Sequence, residues 1–177
     1  MLDAVARIAA AVELPVTADL EAGYGDAVAT ARAAWDVGVV GLNLEDGNGP
    51  AEAHCERIAA VRAAVPELVV NARIDVFIGG SGELDEAIER GSAYLAAGAD
   101  CIYPIGLADG AAIERLVREV GGPVNVLASK EVPPVAELAR VGVRRISVGS
   151  GLHTASLATA RAGADELFEH GTYGFLP

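Results

Sequence analysis

Asp19 and Glu21 stand two residues apart in Val16-Thr17-Ala18-Asp19-Leu20-Glu21. On a β-strand that spacing sends both carboxylates to one face. Glu45 ends a second apolar segment, and Asp46 follows it directly. If the two segments are neighbouring strands, their backbones lie about 4.8 Å apart. Carboxylates crowded in this way repel one another unless a cation or a guanidinium sits among them. No Cys or His stands at ligand spacing beside them. The expected ion is therefore hard, Mg²⁺ or alternatively Mn²⁺, held by oxygen and water. Arg73, in a third segment, adds a planar fork that suits a carboxylate or phosphoryl group. Together these residues predict a site for a small anionic oxyacid chelated to Mg²⁺, where the metal stabilises enolate-like charge. The same residues also allow a plainer arrangement, a buried salt-bridge layer in which Arg73 neutralises Glu45 without metal.

The elements that must position these groups follow from periodicity. Leu2, Val5, Ile8, Ala9 and Val12 recur at helical spacing, so 2–13 reads as a helix. An apolar strand runs from Pro15 to about Leu20, and Asp26 can cap a helix ending near Val37. Further strands are expected at 39–45, 68–76, 99–105, 123–128 and 144–149. Helices are expected at 51–65, 83–97, 110–120, 133–140 and 153–169. Gly38, Gly98 and Gly142 each close a helix just before a strand, as left-handed caps do. Strict alternation of strand and helix implies a parallel sheet with right-handed crossovers. One strand parity is polar (Thr17, Asp19, Glu21; Asn43, Glu45; Asn71, Arg73, Asp75) and the other apolar. Polar groups converging near strand C-termini fit the mouth of a (β/α)8 TIM barrel. Six strands fall short of the eight that close one. The expectation is a single α/β domain over 1–177, an incomplete TIM barrel with about six βα units.

Composition narrows the partners. The chain has 177 residues, 52% of them hydrophobic, and a formal net charge of -12. An excess of acid argues against nucleic acid and anionic membrane surfaces as partners. No segment has the roughly 18 apolar residues a membrane span requires. Of the thirteen basic residues one is lysine, Lys130, and twelve are arginines, which disfavours Schiff-base chemistry. Cys55 and Cys101 form no metal or redox motif, so a cytoplasmic protein with free thiols is expected. Tyr24 lies in the glycine-flanked Gly23-Tyr24-Gly25 and could line the mouth or simply follow a tight turn. Gly149-Ser150-Gly151 opens the last helix and allows a third reading, a phosphate site of unrelated chemistry.

Three segments carry a resemblance: Ala18-Asp19-Leu20-Glu21-Ala22-Gly23-Tyr24-Gly25, Gly41-Leu42-Asn43-Leu44-Glu45-Asp46 and Asn71-Ala72-Arg73-Ile74-Asp75. With Pro123-Val124-Asn125-Val126-Leu127 and Gly142-Val143-Arg144-Arg145-Ile146-Ser147, they resemble the isocitrate lyase / phosphoenolpyruvate mutase superfamily. The resemblance implies a Mg²⁺-dependent barrel that makes or breaks a C–C or P–C bond in a small 2-oxo or enolpyruvyl acid. It implies Asp19, Glu21 and Glu45 as metal-site acids, some acting through water. It implies Arg73 as the substrate-anion arginine and Asn125 as a substrate contact. It also implies a homo-oligomer.

Two departures sharpen the expectation. The family's first strands, with an anion-binding loop and a further aspartate, would precede the helix that opens this chain, so the first two βα units are expected to be lacking. The Lys-Lys-Cys-Gly-His loop of the lyases is replaced by Asp46-Gly47-Asn48-Gly49-Pro50, and Cys55 on the next helix is a poor substitute. Isocitrate or methylisocitrate cleavage is therefore not expected. The phosphonomutase-like and oxaloacetate-processing branches remain open. So does a catalytically inactive incomplete barrel that acts only as an oligomer or beside a partner.

Overall fold

A computed structural model describes residues 1–80 and 82–177. Helix and strand alternate as the periodicity predicts. The order is α1 (Leu2–Ala11), β1 (Val16–Asp19), α2 (Ala27–Asp36), β2 (Val39–Glu45), α3 (Ala51–Ala64), β3 (Val69–Ile74) and α4 (Leu84–Ala96). Then come β4 (Cys101–Pro104), α5 (Gly110–Val120), β5 (Asn125–Leu127), α6 (Val135–Val141), β6 (Arg145–Ser147) and α7 (Gly151–His170). Asp26 caps α2 by accepting from Ala29 N at 2.9 Å, and Asp109 caps α5 from Ala112 N at the same distance. Gly38, Gly98 and Gly142 all have positive φ, the conformation that turns each helix into the strand after it.

The chain divides into two compact units, Met1–Ile146 and Ser147–Pro177. In the first, β1, β2, β3 and β4 form a parallel sheet in sequence order. β5 and β6 form a two-stranded sheet, and a single parallel bridge, Ile102 to Val124, leads from β4 towards it. Among the described residues no strand pairs the outer edge of β1, so the barrel is not closed. The second unit holds α7, and Glu166 accepts hydrogen bonds from Thr172 Oγ1 and Gly174 N, both at 2.6 Å. No helix among the described residues is long and apolar enough to cross a membrane.

The core lies between the sheet and its helices. Leu42, Leu44, Val70, Ala72, Ile74 and Ile102 share one parity and are buried. They meet Ile58 and Val61 of α3, Ala87 and Tyr94 of α4, and Ile113 and Leu116 of α5. Each fully buried Leu, Ile or Val among them contributes about 1.5–3 kcal/mol. α4 sits close because Gly91 faces the sheet: a Cβ there would stand 2.7 Å from Val120 Cγ2 and 2.8 Å from Ile102 Cδ1. Register then stacks the opposite parity in layers. Asp19, Asn43, Asn71 and Cys101 are aligned across four strands, and Glu45, Arg73 and Tyr103 form the next layer up.

The core includes a histidine. His54 of α3 is fully buried, its ring edge-on to Tyr94 at 4.6 Å between centroids. Burial, reinforced by Arg57 and opposed by Asp46 and Asp75, pushes its pKa down to about 4 from 6.5. The folded state therefore keeps His54 neutral, while the unfolded chain binds a proton below 6.5. Its contribution is fully present above 6.5 and is lost as pH falls towards 4, by about 3 kcal/mol in all. Urea midpoints measured across that window should fall steeply in the wild type. They should fall less in His54→Phe.

Candidate functional site

β1, β2 and β3 end at one side of the sheet, and the polar parity of their last residues meets there. Arg73, on β3 between β2 and β4, is the centre. Its guanidinium is ion-paired to Glu45 of β2. Nε and Nη2 donate to Asp75 Oδ1 and Oδ2 at 2.6 and 3.2 Å, while Nη1 approaches Asp19 Oδ2 at 4.0 Å. Burial opposes the arginine's charge, but Asp75, Glu45 and Asp19 outweigh it and hold its pKa above the ordinary value. Glu45 is raised above the usual carboxylate range, first by desolvation and then by Asp75, Asp19 and Glu21, against the pull of Arg73.

Asp19 is held from below and from beside. Its Oδ2 accepts from Asn43 Nδ2 at 3.4 Å, and Asn43 Oδ1 accepts from Asn71 Nδ2 at 2.7 Å. This amide relay fixes which way Asn43 faces, because only its NH₂ end can serve a carboxylate. Asp19 Oδ1 accepts from the backbone N of Glu21 at 3.1 Å. Half of the Asp19 side chain remains exposed at the mouth.

Strand alternation predicts Glu21 on the same face as Asp19, but β1 ends at Asp19 and Glu21 lies in the turn beyond it, at φ 50°. Its side chain reaches the mouth from a left-handed turn rather than from a strand. Tyr24 (φ 49°) and Asn48 (φ 57°) share that conformation, in the loops after β1 and β2. Gly23 is obligatory among them: at φ +89°, its Cβ would fall 2.5 Å from Ala27 Cα. Tyr24 is exposed, and partial desolvation followed by its Glu21 contact raises its hydroxyl pKa, with Asp19 and Glu45 adding. Arg57 of α3 ties the loop down by donating to the carbonyls of Ala22 at 3.2 Å and Glu45 at 3.4 Å.

Asp46 does not join the carboxylates of the mouth. It has the opposite parity to Glu45 and points among the helices, where Arg90 and Tyr94 of α4 pair with it. Neither partner stands out in the sequence; the one available signal is Glu86, Arg90 and Tyr94 at helical i, i+4 spacing. Asn125 opens β5, fully buried, with its backbone beside the Cys101 thiol, which burial raises to about 11. The structure thus brings Asp19, Glu45 and Arg73 into one cluster. Glu21 and Tyr24 stand at its rim, and Asn125 lies on a more distant strand.

A family model for phosphoenolpyruvate phosphomutase matches residues 1–168. The chain belongs to the phosphoenolpyruvate phosphomutase family. Among its family relatives, an oxaloacetate decarboxylase of Ectopseudomonas mendocina is 34% identical, over 95% of this chain and 62% of its own length. An uncharacterised Mycobacterium tuberculosis protein is 32% identical, over 89% of this chain and 63% of its own. The chain thus spans less than two thirds of these curated relatives. A solved protein of Burkholderia cenocepacia J2315, provisionally assigned as a lyase/mutase, superposes with a TM-score of 0.92 at 39% identity, covering 100% of this chain and 71% of that one. An oxaloacetate acetylhydrolase solved with its product oxalate superposes at 0.87 and 25% identity, covering 100% and 68%.

The left-handed turn gives a test of what the mouth sacrifices. A non-glycine residue in that region costs about 1–2 kcal/mol. Glu21→Gly should therefore raise unfolding stability by up to about 1 kcal/mol, after glycine's extra chain entropy, while weakening any cation held at the mouth. Thermal unfolding alongside Mg²⁺ titration separates the two effects.

Proposed function

We propose that this chain makes or breaks one C–C or P–C bond in a small 2-oxo or enolpyruvyl carboxylic acid, with Mg²⁺ or Mn²⁺ as cofactor. The observation that carries the reading is the half-buried Arg73 guanidinium, clamped on one edge by Asp75 and turned by Nη1 towards Asp19. Such an edge suits the carboxylate or phosphonate of an anionic substrate. The named relatives that act on oxaloacetate support the oxaloacetate-processing branch, and the phosphomutase family match supports the phosphonomutase-like one.

The residues fit a hydrated hard cation. Asp19, Glu45 and Asp75 surround the one guanidinium, and Glu21 adds its charge beside Glu45, so the mouth carries an excess of negative charge. Among the described residues no three Asp, Glu, His or Cys side chains converge as direct ligation of one ion requires. Mg²⁺ does not require that, because it keeps several waters and takes only one or two carboxylates. Asp19, Glu21 and Glu45 are the residues that would hold it, partly through water. The cation supplies Lewis-acid stabilisation of a developing enolate oxygen. Arg73 binds and orients the substrate anion, with Asn125 and Tyr24 as the further substrate contacts. Glu45, whose pKa burial raises, is the carboxyl of the mouth most readily protonated. The two cysteines are unpaired, which accords with a cytoplasmic setting.

Calorimetric titration tests this directly, with oxalate as an enolate mimic. Oxalate binding should require Mg²⁺, and Arg73→Ala and Glu45→Gln should each weaken it by about tenfold or more. Because a raised Glu45 must be ionised to serve a cation, Mg²⁺ affinity should fall with decreasing pH, starting above the usual carboxylate range. Oxalate binding that is indifferent to Mg²⁺ and to both substitutions overturns the reading.

The edge of β1, which no strand among the described residues pairs, favours a second reading, an open barrel without catalysis that works only as an oligomer or beside a partner. Light scattering decides that version. A stable folded monomer that binds Mg²⁺ and oxalate rules it out.

A further inference from the structure

We propose that Asp46 and Asp75 are positioning residues for Arg73, a two-carboxylate staple that sets the angle at which its guanidinium meets an anion. The inference rests on the reading of Arg73 as the substrate-anion group.

Asp75 acts directly. Its nearly buried carboxylate takes the Nε and Nη2 edge of Arg73, which leaves Nη1 turned towards Asp19. A guanidinium on a long side chain has many rotamers, and a bidentate fork two residues away removes most of that freedom. Asp75 is in turn fixed at both ends. Its Oδ2 accepts from Gly47 N at 3.2 Å, and its backbone N donates to Asp46 Oδ1 at 3.1 Å.

Asp46 acts through Asp75. Its side chain is fully buried and accepts from four donors: Asn48 N at 2.9 Å, Asp75 N at 3.1 Å, Arg90 Nη1 at 3.1 Å and Tyr94 Oη at 2.7 Å. Its own backbone N donates to the Arg73 carbonyl at 3.2 Å. One carboxylate thus joins the end of β2, the end of β3, the loop 46–49 and helix α4. Arg90 completes the closure by donating to Gly49 O at 2.8 Å, which holds the same loop that presents Gly47 N to Asp75. The lower dielectric among the helices strengthens these bonds and makes each one costly to leave unmade. Tyr94 and Arg90 therefore reach Arg73 from the dry face of the sheet without touching the mouth.

The experiment uses the full chain labelled with ¹⁵N-arginine. The Nε–Hε signal of Arg73 is identified by its loss in Arg73→Lys, and its exchange with water is measured beside oxalate affinity in Mg²⁺. Loss of one charge-assisted bond in a buried fork should speed Hε exchange by about tenfold in Asp75→Asn and by about threefold or more in Asp46→Asn and Tyr94→Phe. Oxalate affinity should fall in the same order. Tyr94→Phe keeps the ring and removes one buried oxygen, so it decides the matter if Asp46→Asn does not fold. A Tyr94→Phe protein with a lowered urea midpoint but wild-type Hε exchange overturns the proposal, since a purely structural role predicts that outcome. If the wild type binds no oxalate, the reading of the mouth fails, while Hε exchange still decides the staple.

Discussion

The ion pair between Arg73 and Glu45 is the constraint around which the first unit is arranged. A half-buried guanidinium beside a carboxylate is worth keeping only if both partners stay in place. Removing the arginine would leave Glu45, Asp75 and Asp19 facing one another with no compensating charge. Keeping them together requires β3 to lie beside β2 in one register, with Glu45 opposite Arg73. That register places Asn43 opposite Asn71 one layer lower, and the amide relay to Asp19 follows from it. The charged layer and the amide layer are thus two consequences of a single alignment.

The sheet has a wet face and a dry face, and the two are stabilised differently. On the dry face, apolar side chains from three strands meet helices α3, α4 and α5, with Gly91 allowing close approach. On the wet face, hydrogen bonds and ion pairs take the place of packing. Loops after β1 and β2 carry three non-glycine residues at positive φ. Such residues persist only where the surroundings over-determine them. Here Arg57, Gly23 and Asp46 supply that restraint. Polar chemistry and backbone strain therefore share one end of the sheet, as sites on βα loops do.

Much of this is legible in the residues alone. The positions of the six strands among the described residues follow from apolar runs, and Gly38, Gly98 and Gly142 mark the helix ends. The convergence of Asp19, Glu45 and Arg73 follows from strand parity together with sequential strand order. Other features do not follow from spacing. Glu21 sits at the expected interval, yet the strand ends before it, and a left-handed turn leaves no trace in a two-residue alternation. Asp46 looks like a fourth acid of the mouth until the buried donors that draw it to the other side are located. Those donors, Arg90 and Tyr94, lie over forty residues away on a helix whose facing is set only by tertiary packing.

The dipeptide Glu45-Asp46 puts two acids of nearly equal chemistry on opposite faces of the sheet. A slip of β2 by one residue would exchange them. Glu45 would enter the apolar layer without its arginine, and Asp46 would enter the mouth with a side chain one methylene too short to reach as far. Leu44 would at the same time be turned out of the core. Each error alone costs free energy, and all three arrive together. The pair thus works as a lock on strand alignment, so that the misregistered sheet is disfavoured by charge as well as by packing.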